Sequence, residues 1–349
     1  MNLFNAARQW MSVDMAIDLG TANTIIYLAR QGVVLNEPSV VAVDTRGKQP
    51  QIMEVGYNAK QMLGRAHGDI KVIRPMKDGV IADYRITEQM LNYFIKKVHG
   101  TKFLSPGPRI VICVPTSSTH VDRRAIRESA LTAGATKVYL IEEPMAAALG
   151  CELPVNEPIG SMVLDIGGGT AEVGVISLGG MVYSRSLTTG GDKIDAAIME
   201  YVRQNFGIAI GESTSERIKK EIAVAHASFY EHDNREMLVS GQKVAEGVPR
   251  QFTLRSEDIY KAITPCINDI VKAVLTGLEN VPPELSADIS ERGIALTGGT
   301  VLIPGLGQRL QDETGVPVKM AEDPLTCVAR GCGSALQYLD NNNTGVLFV

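Results

Sequence analysis

One short device occurs twice in this 349-residue chain, and the repetition limits its possible folds more than any other feature. Residues 16–28, AIDLGTANTIIYL, and residues 163–176, VLDIGGGTAEVGVI, each run apolar to an aspartate, pass through a turn rich in glycine or polar residues, and continue as an apolar strand. The matching aspartates are Asp18 and Asp165. A repeated strand–turn–strand unit predicts two related halves, each a mixed sheet flanked by helices, with a cleft between them. The length agrees, because single cores rarely grow past about 250–300 residues.

A glycine turn lets the main chain come close to a ligand, and successive N–H groups can ring a phosphate. Carboxylates at the strand ends, Asp18 and Asp165, are then placed for a hydrated Mg²⁺, a hard cation that keeps several waters. A lone Asp-Leu-Gly also suits an ordinary hairpin; the second copy turns the reading toward an anion. The common nucleotide motifs are absent: there is no GxxxxGK[ST], and GxGxxG fails because Glu172 follows Gly167 and Gly169. A third glycine site, GIALTGGTVLIPGLGQRL at 293–310, reads as strand, Gly298-Gly299 turn and helix. It suits an adenine or ribose against backbone, or is a plain strand–helix connection.

Glu143 follows the strand KVYLI, and the proline after it biases it toward extended backbone. From there it could orient a water for attack on a phosphate, with the Thr170 hydroxyl holding the same water. The competing role is an acid that satisfies a helix start.

Along the chain, 86–100 has helical periodicity, 109–115 reads as a buried strand, 119–135 as a helix, and a further helix begins at Pro144. Residues 186–247 read as an inserted subdomain with helices at 194–206 and 215–229 and a strand pair near 236–244. The predicted organisation is an amphipathic N-terminal helix at 1–12 and a first domain at 13–146 with a small insertion at about 34–78. A second domain at 147–320 follows, and 321–349 returns to the first domain and ends in a polar-then-apolar tail.

The formal charge of −5 gives no electrostatic reason to bind nucleic acid. The five cysteines (Cys113, Cys151, Cys266, Cys327 and Cys332) form no CxxC and read as reduced thiols of a cytoplasmic protein. No apolar run is long enough to span a membrane, and the N-terminus lacks the apolar core of a signal peptide. Leu3, Phe4, Ala7, Trp10 and Met11 nevertheless share one helical face. That face packs on its own domain or lies in a membrane interface.

Taken together, AIDLGTANT, VIRPMKDGVIADY, ICVPTSSTHVDRRAIRESALTAGA, LIEEPMAAALG, LDIGGGTAEV and IALTGGT resemble the actin, sugar-kinase and heat-shock-chaperone ATPase superfamily. Within it, NEPSVVAV, KQMLGR, SERIKKEI, PPELSADISERG and AEDPLTCVARG resemble the bacterial actins, over residues 13–338. The resemblance implies an actin-like ATPase fold of two domains with two subdomains each, with ATP and Mg²⁺ in the cleft. By the same resemblance, Gly20, Thr21, Ala22 and Asn23 line the first phosphate turn, and Gly167, Gly168 and Gly169 the second. Glu216 and Lys219 meet the ribose and adenine, Gly298, Gly299 and Thr300 close the base pocket, and Asp18 and Asp165 serve the metal. Glu143 and Thr170 position the attacking water.

The implied function is a filament-forming cytoskeletal ATPase on the inner face of the cell membrane that organises cell-wall synthesis and rod shape. Its implied partners are further copies of itself and transmembrane shape-determining and cell-wall synthesis proteins. On this reading Phe103 and Leu104, at the tip of a Gly/Pro-rich loop, insert into anionic lipid together with Leu3, Phe4 and Trp10. A small-molecule kinase of the same superfamily is the alternative. A chaperone is disfavoured, since little chain follows CVARGCGSALQYL. Thr300 departs from the usual third glycine of its turn, and a β-branched residue there tolerates positive φ poorly. Ala171 stands where a threonine is commoner.

Overall fold

The computed structural model describes residues 14–47, 49–99, 107–340 and 348–349. Leu3, Phe4, Trp10, Phe103 and Leu104 lie outside the described residues, as does most of the tail.

Two five-stranded sheets have the same connectivity. In the first, Asn23–Leu28 lies between Gly32–Pro38 and Met15–Leu19, and Arg109–Val114 and Lys137–Glu142 continue the sheet beyond Met15–Leu19. In the second, Ala171–Ser177 lies between Gly180–Leu187 and Ser161–Ile166, with Ile294–Thr297 and then Val318–Met320 beyond. Each sheet is thus an antiparallel three-strand meander whose first strand is extended by two parallel strands. Met15 pairs with Ile110 as Met162 pairs with Ile294, so Asp18 and Asp165 occupy equivalent places. The tandem motif is the start of each sheet.

Side chains alternate across a strand, and the alternation sorts the cores. Met15, Ile17, Ile110, Ile112 and Leu140 pack with Met90, Leu91 and Phe94 of the Tyr84–His99 helix. Ala16, Val111, Cys113 and Ile141 face the other way, into a core shared with Val163 and Ile176 of the second sheet. Two helices, Glu143–Gly150 and Cys327–Asp340, fill that shared core. They meet on small residues because nothing larger fits: a Cβ on Gly331 would lie 1.7 Å from the Ala146 carbonyl oxygen. The runs AAALG and GCGSA are therefore a close helix crossing, whose spacing depends on contact side-chain size.

The insertions build two smaller sheets. Val41–Asp44 lies between Gln51–Val55 and Ile70–Ile73, and Glu236–Lys243 between Ile208–Ala209 and Pro249–Arg255. The second hairpin thus extends past the expected limit of 247. The helix expected over 215–229 is two, Glu212–Ile222 and Ala227–His232. The break falls at Ala223, which is extended, and Ala225 N–H donates to the Pro304 carbonyl. At the far edge of the first sheet, Val349 N–H donates to the Leu140 carbonyl at 2.9 Å, and Phe348 packs on Tyr139. Among the described residues, no helix is long and apolar enough to cross a membrane.

Candidate functional site

The two motif turns face each other across the cleft. A Cβ on Gly168 would lie 2.5 Å from Ala22 Cβ, and one on Gly169 would lie 2.5 Å from Thr21 Oγ1. Only glycine allows so close an approach. Gly167 N–H closes its own turn on the Thr170 carbonyl at 2.9 Å. Among the described residues, the N–H groups of Thr21, Ala22, Gly168 and Gly169 donate to no protein acceptor. Buried N–H groups seldom stay unpaired, so these suit an anion.

Other segments hold the turns. Ser39 is fully buried, and its hydroxyl donates to the Gly20 carbonyl at 2.7 Å and pairs with Thr24 Oγ1 at 2.9 Å. Asp78 and Gly79 both have positive φ (52° and 77°), as a type I′ hairpin turn between Met76–Lys77 and Val80–Ile81 requires. Gly79 N–H donates to Thr21 Oγ1, and a Cβ on Gly79 would meet the Thr170 methyl at 2.7 Å. This DG hairpin therefore touches both turns. The dipeptide was its readable signal, but not what it would cover.

Four carboxylates gather beneath the turns: Asp18, Glu143, Asp165 and Glu172, each buried or nearly so. Burial pushes Asp18 up to about 6, against a hydrogen bond from Cys113. Burial, then the charge of Asp18, raises Asp165 well above the carboxylate range. Glu143 is raised by burial, then by Glu172, Asp165 and Asp18. Glu172 accepts the Thr116 hydroxyl at 2.7 Å, while its Oε1 and Asp165 Oδ1 are buried without partners. Mutually repelling carboxylates with orphaned oxygens fit a hydrated divalent cation. Among the described residues, no group of three or more His, Cys, Asp or Glu is placed to hold a metal ion. Glu172 and Thr116 were missed from the sequence, where Glu172 registered only as a failed glycine motif.

Glu143 differs from expectation in backbone. Its strand ends at Glu142, and Glu143 is the first helical residue rather than an extended one, with Pro144 behind it. Its carboxyl still enters the cleft cluster, as the charges acting on it show. Thr170 is buried in the second turn.

The third turn joins the second. The Thr300 hydroxyl donates to the Gly167 carbonyl at 2.8 Å. Its expected strain is absent: Thr300 lies in a short 3₁₀ turn, Gly299–Leu302, and the positive φ belongs to Gly298 (89°) and Gly305 (83°). A Cβ on Gly298 would meet the Ile166 carbonyl at 2.4 Å, and Gly299 packs against Leu325.

Glu216 and Lys219 share the Glu212–Ile222 helix but diverge. Lys219 donates to Asp195 Oδ2 at 2.7 Å and to the Gly191 carbonyl at 2.9 Å, behind the second turn. Glu216 pairs across the cleft with Lys60 at 2.8 Å. Burial alone would raise the Glu216 carboxyl, but hydrogen bonds from Lys220 and Lys60 hold it down to about 2. Arg74 makes a second cross-cleft pair, with Glu212 at 3.0 Å. The Asn23 side-chain amide donates to Asn36 Oδ1 at 2.6 Å.

The sequence profile of the MreB/Mbl protein family matches residues 12–344. The chain is 58% identical over 335 residues to the cell shape-determining protein MreB of Escherichia coli, covering 95% of this chain and 96% of that one. It is 45% identical over 327 residues to the cell shape-determining protein Mbl of Bacillus subtilis, covering 94% and 96%. The structure of MreB5 of Spiroplasma citri bound to AMPPNP superposes with a TM-score of 0.88 at 34% identity, over 95% of this chain and 98% of that chain.

Proposed function

This chain belongs to the MreB/Mbl family of actin-like, cytoskeletal, cell shape-determining proteins, and from that premise we propose that it is an ATPase whose filament lies on the membrane. The observation that carries this reading is the closed pair of glycine turns over four buried carboxylates.

On this reading the unpaired N–H groups of Thr21, Ala22, Gly168 and Gly169 hold the phosphates as anion receptors. Asp18 and Asp165 would hold Mg²⁺, which when bound would supply charge neutralisation for the phosphoryl oxygens. Glu143, raised by burial and its acidic neighbours, accepts a proton from the attacking water, which the Thr170 hydroxyl helps to place. Glu172, fixed by Thr116, keeps Glu143 proton-hungry. Glu216 comes within reach of the ribose once its bridge to Lys60 opens. Gly298, Gly299 and Thr300 back the base, and Lys219 holds the Gly191 helix start behind the second turn.

Filament growth follows from head-to-tail contacts, which do not close. Leu3, Phe4 and Trp10 with Phe103 and Leu104 supply weak apolar anchors that act together on anionic lipid, placing the filament on the inner membrane face beside transmembrane cell-wall synthesis partners. The small-molecule kinase alternative is not favoured, because the family profile and the cell shape-determining relatives match nearly the whole chain.

Electron microscopy on anionic vesicles, with and without ATP·Mg²⁺, tests the reading. Membrane-bound filaments that require nucleotide are expected. A monodisperse protein that still hydrolyses ATP under every condition would overturn it.

A further inference from the structure

The sulfurs of Cys151 and Cys327 lie 3.4 Å apart although 176 residues separate them in the chain. Cys151 caps the Glu143–Gly150 helix, and Cys327 opens the Cys327–Asp340 helix. These mark the two places where the chain passes between the sheets. After Gly150 it runs to Ser161 of the second sheet, and after Met320 of that sheet it returns to a helix packed on the first. The main chains already touch there, since a Cβ on Gly150 would lie 2.1 Å from the Cys327 carbonyl oxygen.

Access is also present. Cys113, Cys266 and Cys332 are buried, whereas Cys151 is half-buried and lies in the wall of a cavity of about 360 Å³ lined also by Arg292, Lys319 and Arg330. A small polar oxidant entering that cavity meets Cys151, whose sulfur lies 3.4 Å from that of Cys327. The contact between the two sulfurs, with Thr297 and Arg330, holds the Cys327 thiol below its ordinary value and pushes the Cys151 thiol up, so the two share one proton unequally.

We propose that Cys151 and Cys327 are a reversible disulfide site, closed by a hydroperoxide, that staples the two crossings between the halves. One thiolate gives an electron pair to a peroxide oxygen and becomes a sulfenic acid as hydroxide leaves. The second thiolate attacks that sulfur, the S–S bond forms, and hydroxide leaves again. Both thiol protons end in water, so one hydrogen peroxide becomes two waters as two thiols become one disulfide. The sulfurs need only close from 3.4 Å to about 2.05 Å.

The test uses the full chain without nucleotide, treated with hydrogen peroxide and then with dithiothreitol. Peptide mapping should find Cys151 linked to Cys327. Amide exchange over 148–154 and 323–330 should slow about tenfold, and the melting temperature should rise, both reversing on reduction. Cys151→Ser should abolish linkage and slowing; being half-buried, it avoids the folding risk of Cys327→Ser. Peroxide that leaves Cys151 as a sulfinic acid or links other cysteines would overturn the site. A linked protein that exchanges as fast as the reduced one would overturn the staple. None of these readouts depends on nucleotide chemistry.

Discussion

Lys60 Nζ lies 2.8 Å from the Glu216 carboxylate, joining an insertion of the first half to an insertion of the second. Both side chains are about three-quarters shielded, so the pair falls in the upper part of the surface-bridge range, though Lys220 shares the acid. Lys60→Ala should open the cleft and speed nucleotide release severalfold, measured by stopped-flow release of a fluorescent analogue. A double-mutant cycle with Glu216→Ala should give a coupling of about 0.5–1 kcal/mol. Additive effects would mean that the bridge does not gate the cleft.

Glu143→Gln keeps shape and removes the base. ATP turnover should fall about 10²–10⁴-fold with nucleotide affinity nearly unchanged, as separate turnover and binding assays would show. A parallel loss of affinity would make Glu143 a structural acid.

Asp18 should make the ligand-free fold less stable as pH rises. Its folded pKa is raised from 3.8 to about 6, so its contribution is full below 3.8 and lost as pH passes through about 6. The loss is about 3 kcal/mol for a shift of this size. Asp165, Glu143 and Glu172 are raised as well and act in the same direction. Asp18→Asn should therefore gain stability over wild type between pH 4 and 7 in thermal melts, and lose Mg²⁺-dependent nucleotide binding.

Gly168→Ala places a methyl 2.5 Å from Ala22 Cβ and must push the phosphate turns apart. A stability loss of about 1–3 kcal/mol is expected. Nucleotide affinity, read by calorimetry, should fall further than stability alone explains.

Thr300→Val removes the hydrogen bond to the Gly167 carbonyl while keeping the branched shape. About 1 kcal/mol should be lost in denaturant unfolding.

What the sequence determined by itself was the frame. Each copy of the Asp-Gly unit starts an antiparallel meander because its flanking runs are apolar and its turn residues permit reversal. The uninterrupted apolar run IVICV, after Arg109, marked a strand buried on both faces, as parallel strands are. Glycine counts pointed to close backbone approach, and the approach is to the opposite turn. The tertiary structure decided what depends on distant partners. Glu172 became part of the acidic cluster because strand pairing sets it opposite Asp165. Thr300 escaped strain because the backbone reversal falls on Gly298 and Gly305 instead. Glu216 faces Lys60, and Cys151 faces Cys327, only because two crossings bring remote segments together. Local pattern fixes how a segment folds; which side chains meet across a cleft follows from how the sheets pack, which no window of sequence contains.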